Sequence, residues 1–211
     1  MPFSTCRNTV VLACLAGTCV AYGQRFSYGV KGGASLNEPS RANPNESKRY
    51  ILGGTVEMQL WRGFTAEVDL LYRHNGSSLS YNYAPLSPTG EPVSPPFFVA
   101  SRTRMEVFEL PVLGKYYFRR ESNLQPFVLT GYSFRKGKTH VDNSVTTEGR
   151  TTSGESSGWS DLDIGASFGL GLRYRLGRVS LSPEVRYTEW GGQPSRIVSK
   201  RQADFLFGIT F

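Results

Sequence analysis

An all-β, eight-stranded antiparallel up-and-down transmembrane β-barrel is the fold class predicted for this chain of 211 residues. Three observations predict it. Apolar residues alternate with small or polar ones over long stretches, the links between those stretches alternate between short and long, and the sequence closes on "RQADFLFGITF". In that last segment Phe205, Phe207, Ile209 and Phe211 share one side of an extended strand, an arrangement that a terminus in water does not favour.

Taken in order, the chain starts with Arg7, an apolar stretch "TVVLACLAGTCVAYG" and small residues at Ala21 and Gly23. This pattern predicts a signal peptide over residues 1–23, cleaved after Gly23, and a single barrel domain over 24–211. The apolar stretch is too short for a membrane-spanning helix, and no later run approaches the required length. Cys6, Cys14 and Cys19 all fall in the segment to be removed, so the mature chain is expected to have no disulfide, thiol nucleophile or cysteine-ligated metal. Loss of Arg7 takes the formal charge from +7 to +6. Export argues against nucleic acid as the partner of that modest excess.

The first strand is read in "FSYGVKGG" and the second in "RYILGGTVEMQL", where Leu52, Val56 and Met58 oppose Thr55, Glu57 and Gln59. The third, "FTAEVDLLYR", sets Phe64, Ala66, Val68, Leu70 and Tyr72 against Thr65, Glu67 and Asp69, with Leu71 breaking the rule. "FELPVLGKYYF", centred on Pro111, and "PFVLTGYSF", around Gly131, supply the fourth and fifth. The sixth, "SDLDIGASFGLGLRYRLG", has the longest alternation: Leu162 to Tyr174 are apolar at every second position, and the other parity holds no large apolar side chain. The seventh, "VSLSPEVRY", contains Pro183, which is expected to weaken the hydrogen-bond ladder locally and to mark a bulge. The C-terminal segment is the eighth.

Residues 61–63, 119–125 and 176–178 are short links. Residues 35–48, 75–102, 136–160 and 191–199 read as long exposed loops rich in Ser, Thr, Asn, Pro and Gly. Such a barrel has one tight rim and one elaborate rim.

Strand length and the polar parity decide which face points inward. The alternation from Leu162 to Leu172 matches the roughly 9 to 11 residues that a tilted strand needs to cross a bilayer. Glu57, Glu67, Asp69, Arg73, Asp163, Arg173, Glu184 and Arg186, with Lys31, mix both signs of charge among glycines and serines. That mixture suits a lumen charge network filling the narrow interior of an eight-stranded barrel. Aromatic residues near strand ends, including Phe64, Tyr72, residues 116–118, Tyr174, Tyr187, Trp190 and Phe205, read as interfacial girdles.

The alternating segments, "FELPVLGKYYF" and the terminal "FLFGITF" resemble the outer-membrane protein β-barrel superfamily, of the kind seen in the membrane domain of outer membrane protein A. The resemblance spans essentially the whole mature chain. It implies a Gram-negative outer-membrane location reached through the periplasm, outer-membrane lipid and lipopolysaccharide as surroundings, and the barrel-assembly machinery as a partner during biogenesis. It also implies that Phe207, Ile209 and Phe211 form the assembly signal. Eight strands leave little interior space, so a filled lumen and a structural or surface-interaction role are expected, with the protein a monomer.

Two alternatives remain open at this level: an outer-membrane enzyme acting on lipid A or peptide at the loop rim, and a secreted soluble barrel holding a small apolar ligand. Enzymatic chemistry would draw on His74 or His140, the sole histidines, with "RHNGSS" offering Ser77 and Ser78 and "THVDNS" offering Asp142 and Ser144. Loop histidines in solvent are the simpler reading, so no catalytic residue and no cofactor is expected. No compact ligand spacing predicts a metal, and Asp161 and Asp163 are read as partners of lumen arginines. Basic residues at the same rim, among them Arg102, Arg104, Lys136, Lys138, Arg196, Lys200 and Arg201, suit lipopolysaccharide phosphates.

Overall fold

The computed structural model describes residues 26–36, 50–83, 97–119, 121–192 and 200–211. The expected signal peptide lies outside the described residues. Nine strands occur in chain order: β1 (Phe26–Ser35), β2 (Tyr50–Trp61), β3 (Phe64–Tyr83), β4 (Phe97–Tyr117), β5 (Leu124–Thr147), β6 (Arg150–Trp159), β7 (Asp163–Leu176), β8 (Val179–Trp190) and β9 (Arg201–Thr210). All pairings are antiparallel. Eight of these strands close a ring in which β1 pairs with both β2 and β9 and β5 pairs with β4 and β7.

The seam between first and last strand runs from Gly29 opposite Thr210 to Ser35 opposite Asp204. Beyond it, the Phe211 N–H donates to the Tyr28 carbonyl at 2.9 Å. Closure leaves no free edge in the wall, which a bilayer interior requires because nothing there can satisfy an unpaired backbone group.

The ninth strand corrects the expectation of a loop over residues 136–160. β5 pairs along its lower half with β7 and along its upper half with β6, so β6 and β7 run end to end beside one strand. The register changes between Lys138 opposite Trp159 and Arg135 opposite Asp163. Residues 160–162 take up the difference as a one-residue bulge. The Ser160 N–H and hydroxyl are both tied to Gly137 there, each at 2.8 Å. β6 is therefore the upper continuation of the wall strand β7, shifted by one.

The loop read over 75–102 is corrected in the same way over 75–83 and 97–102, and residues 84–96 lie outside the described residues. β3 and β4 pair through Tyr83 opposite Phe97, and the tops of β3, β4, β5 and β6 form a four-stranded sheet standing on the barrel rim. A two-residue turn at Glu148 and Gly149, both with positive φ, closes the β5–β6 hairpin as its right-handed twist requires. The tip lies about 30 Å along the strand beyond Lys138, at roughly 3.3 Å per residue.

Pro183 interrupts a ladder as expected but makes no bulge. The β8–β9 register passes through Pro183 opposite Phe207 without a shift. On its other side the β7–β8 pairing is interrupted between Gly171 opposite Glu184 and Tyr174 opposite Leu181, with the register kept. Pro111 stands beside a similar gap in the β3–β4 ladder. A missing N–H removes rungs on one side without requiring an extra residue. The wall's register irregularity instead falls between Gln59 and Trp61.

Outside, the alternating apolar residues face away from the barrel, Leu170 being 65 % exposed. Phe64, Tyr116 and Phe118 make one aromatic row, with ring centroids 4.9 and 5.0 Å apart. Tyr50, Tyr72 and Phe108 make another, at 6.2 and 5.5 Å. From Phe108 to Phe118 is about 33 Å of strand, or about 25 Å of height at a tilt near 40°, the apolar band of an outer-membrane barrel. Two expected girdle members face inward instead: Trp190 is 0 % exposed and Tyr117 is buried. Leu162 stands just before β7 and is exposed.

Several inward positions are glycine because the neighbouring strand leaves no room for a side chain. At Gly131 a Cβ would lie 2.1 Å from the Val112 carbonyl oxygen and 2.9 Å from the Leu113 Cα, both backbone atoms. Gly154 in β6 has open space around it. Gly131→Ala is expected to cost about 1–3 kcal/mol by overpacking, whereas Gly154→Ala stays within about 0.5 kcal/mol of the parent. Urea titration of the heat-modifiable gel shift checks both.

Candidate functional site

The lumen face carries charge that the outer face lacks. Alternation sends Lys31 of β1, Glu57 of β2, Glu67 and Asp69 of β3, Lys115 of β4, Arg173 of β7, and Glu184 and Arg186 of β8 inward, where all are buried. Lys31 Nζ lies 2.7 Å from Glu67, 3.2 Å from Asp69 and 3.3 Å from Glu184. Lys115 Nζ meets Glu67 at 2.5 Å, Glu184 at 3.2 Å and Glu57 at 3.3 Å. Arg186 reaches Glu184 at 2.6 Å and Asp69 at 2.8 Å. Arg173 pairs with Glu57. Four cations thus face four anions, so the cluster is electrically balanced.

Glycines beside these side chains supply the room. Gly169 stands opposite Arg186, Gly171 opposite Glu184, and both Gly53 and Gly208 opposite Lys31. Long ionic side chains and bare backbone therefore alternate around the interior, which lets a narrow barrel be filled. Aromatic faces share the load: Lys115 lies 4.5 Å from the Phe127 ring centre and Arg173 lies 4.3 Å from that of Tyr117.

A second group sits nearer the sheet. Arg73 bonds Glu109 at 3.0 Å and Asp204 at 2.7 Å. Gln202 donates to the same two carboxylates and accepts the Trp190 indole N–H at 3.1 Å. Arg135 stacks 3.9 Å over Trp190 and pairs with Asp163 at 2.7 Å. Ile51, Leu71 and Leu206 form a buried apolar cluster on the same inner face. The parity break at Leu71 thus places an apolar side chain inside the lumen.

All eight residues of the expected lumen network are inside, in these two groups. Sequence reasoning missed Lys115, Glu109, Asp204 and Arg135. Their parity was readable, Lys115 and Glu109 especially, because each alternates in "FELPVLGKYYF" with the outward Phe108, Leu110, Val112 and Tyr116. Asp161 is exposed and precedes β7, and no ion pair joins it to a lumen arginine among the described residues.

On the rim-top sheet the two faces differ. The face continuing the outer wall has rows across all four strands: His74, Glu106, Lys138 and Trp159; then Gly76, Arg104, His140 and Ser157; then Ser78, Arg102, Asp142 and Glu155; then Ser80, Ala100, Ser144 and Ser153. The face continuing the lumen side carries Leu79, Tyr81, Val99, Val141 and Val145. A cleft of about 360 Å³ on the sheet is lined in part by Ser78, Arg102, Asp142, Ser144 and Glu155.

The His140, Asp142 and Ser144 arrangement considered for catalysis is not assembled among the described residues. His74 stacks on Tyr50, with centroids 5.6 Å apart. His140, Asp142 and Ser144 share one strand face at successive alternate positions, and the Ser144 hydroxyl donates to the Ala100 carbonyl rather than to an imidazole. His140, Asp142 and Glu155, however, bring ligand atoms within 4.8 Å of one another, a grouping that no linear spacing announces.

A closed eight-stranded wall, an apolar band between two aromatic rows and a charged, filled interior define a transmembrane β-barrel of the outer-membrane class. The family model "Outer membrane protein beta-barrel domain" matches residues 17–191, and the chain belongs to that family. Among solved structures, Neisserial surface protein A is similar at 16 % identity and a TM-score of 0.50, covering 89 % of this chain and 97 % of that one. A major outer membrane protein from Thermus thermophilus (10 % identity, TM-score 0.46, 89 % and 99 % covered) and Ail of Yersinia pestis (12 %, 0.41, 89 % and 97 %) are also similar. These likenesses concern the fold alone. No curated protein sequence matches the chain.

Breaking the balanced cluster from one side leaves buried charge unpaired. Glu67→Gln removes the anion shared by Lys31 and Lys115 and is expected to destabilise the barrel by about 3–5 kcal/mol. Arg104→Gln, whose partner Asp142 is 3.7 Å away at a half-exposed site, is expected to change stability by at most about 1 kcal/mol. Urea midpoints of refolded protein in detergent compare the two.

Proposed function

We propose that this outer-membrane barrel is a structural and surface-interaction protein, a monomer whose extracellular sheet contacts the lipopolysaccharide around it and surfaces beyond. The filled lumen carries this reading. A wall packed inside with a neutral ion-pair cluster is closed to a wide water path of the kind a general porin needs.

The row geometry supports lipopolysaccharide as the neighbour. Arg104 and Arg102 stand four and six residues beyond Phe108 of the upper aromatic row, on the outer face, and Lys136 and Lys138 share that face on β5. Lys136 stands level with Phe108 and Lys138 level with Glu106, so at about 3.3 Å per residue the four cations spread from the aromatic row itself to roughly 20 Å of strand past it, a span that takes in the headgroups, where phosphates accept charge-assisted hydrogen bonds. Replacing Arg102, Arg104, Lys136 and Lys138 together by Gln is expected to remove most of the thermal stabilisation gained on adding lipopolysaccharide to the protein in detergent. An unchanged gain in the variant would refute this contact.

Export through the periplasm and delivery by the barrel-assembly machinery complete the proposal, with Phe207, Ile209 and Phe211 as the recognised segment. These residues lie on the outward side of the seam strand, and Phe211 is 56 % exposed. Phe211→Ser is expected to lower the assembled fraction in cells several-fold while leaving refolding from urea into detergent nearly intact. Equal losses in both assays would assign Phe211 to barrel stability alone.

A further inference from the structure

We propose that His140, Asp142 and Glu155 form an extracellular site for a late first-row divalent cation, and that the ion fastens strand β6 to β5. The site is independent of the lipopolysaccharide reading and follows from sheet register. His140 and Asp142 are two residues apart on β5 and so project from one face, while Glu155 of β6 stands directly across from Asp142 and diagonal to His140. Their ligand atoms all fall within 4.8 Å of one another. A tetrahedral ion with bonds near 2.0–2.1 Å needs them about 3.3 Å apart, a closing motion that partly exposed side chains on a fixed sheet can make by rotamer change.

The donor set selects the ion. One imidazole nitrogen with two carboxylate oxygens suits Zn²⁺ and its first-row neighbours, since purely oxygen ligation would be expected for Ca²⁺ or Mg²⁺. The site opens on the cleft lined by Ser78, Arg102 and Ser144, so water can fill the remaining position. By contrast, the other acidic grouping, Glu67, Asp69 and Glu184, is already occupied by Lys31, Lys115 and Arg186.

The competitor is visible too. Arg104 Nη2 lies 3.7 Å from Asp142, so an arriving cation must displace a weak ion pair. Removing Arg104 should therefore strengthen metal binding, an effect that a histidine binding the ion on its own would not show. Fastening has a structural reason: every residue of β6 is exposed, and among the described strands β6 pairs with β5 alone. An ion bridging Asp142 and Glu155 adds a side-chain link across that one ladder.

The test uses tag-free, full-length mature protein refolded in detergent without lipopolysaccharide, with folding verified by heat-modifiable migration. Zn²⁺ is titrated by calorimetry, and Co²⁺ by its visible spectrum. One equivalent is expected to bind. H140A should weaken binding at least tenfold, D142N and E155Q each about tenfold, and R104Q should tighten it, while H74A leaves it unchanged. Zn²⁺ should also slow tryptic cleavage after Arg150 relative to EDTA in the parent and have no such effect in H140A. Absence of binding in the parent, equal affinity in H140A, loss in H74A, or binding by D142N and E155Q as tight as the parent's would each overturn the site. Binding with unchanged cleavage would overturn the fastening role.

Discussion

Everything in this molecule depends on an interior that must be solid and electrically neutral at the same time. Eight strands closed on themselves leave a space about as wide as the side chains that fill it. The outer face has taken the apolar residues, since lipid is its solvent. What remains for the inside is polar, and polar groups shut away from water must find partners within reach. The four cations and four anions around Glu67 and Lys115 meet most of that demand with one another, although Asp69 Oδ1, Arg173 Nε and Arg186 Nε and Nη1 have no hydrogen-bond partner among the described residues. Such a cluster adds little stability compared with an apolar filling of the same shape, but it is intolerant of losing a member. Its value is in specifying one register, because a strand slipped by one residue would turn an ion toward lipid.

That constraint explains how much could be read from the sequence. Where a strand crosses the membrane, each residue is committed to lipid or to lumen, and the alternation through Glu57, Glu67, Asp69, Arg173, Glu184 and Arg186 declares both the wall and its contents. Above the membrane the commitment lapses. β6, "RTTSGESSGW", is exposed at every position, so nothing in its composition separates a solvated strand from a solvated loop. The upper parts of β3, β4 and β5 mix half-buried and exposed positions, so their parity carries too little contrast to separate a strand from a loop.

Partnerships across strands are harder to read than parity. Lys115 and Glu109 sit among aromatic and aliphatic residues in a segment notable for Pro111, which draws the eye toward the backbone. Asp204 lies in a terminus dominated by its aromatics. Trp190, expected as an interfacial ring, lies inside because its indole N–H has a buried acceptor in Gln202 and its face has Arg135. The grouping of His140, Asp142 and Glu155 depends on a hairpin register that local sequence does not encode. In each case the residue is legible and its neighbour is not.

The one-residue bulge at residues 160–162 separates two regimes of change. Below it, a one-residue insertion reverses the facing of a wall strand and turns ions toward lipid. Above it, β6 follows β5 alone, and residues can be gained or lost as matched pairs at the Glu148–Gly149 tip without disturbing the barrel. The height of the sheet over the barrel rim is thereby free to drift or be selected in steps of two residues per arm, each close to about 7 Å of strand. A lineage carrying this fold can alter how far it reaches outward while the membrane-embedded part stays the same.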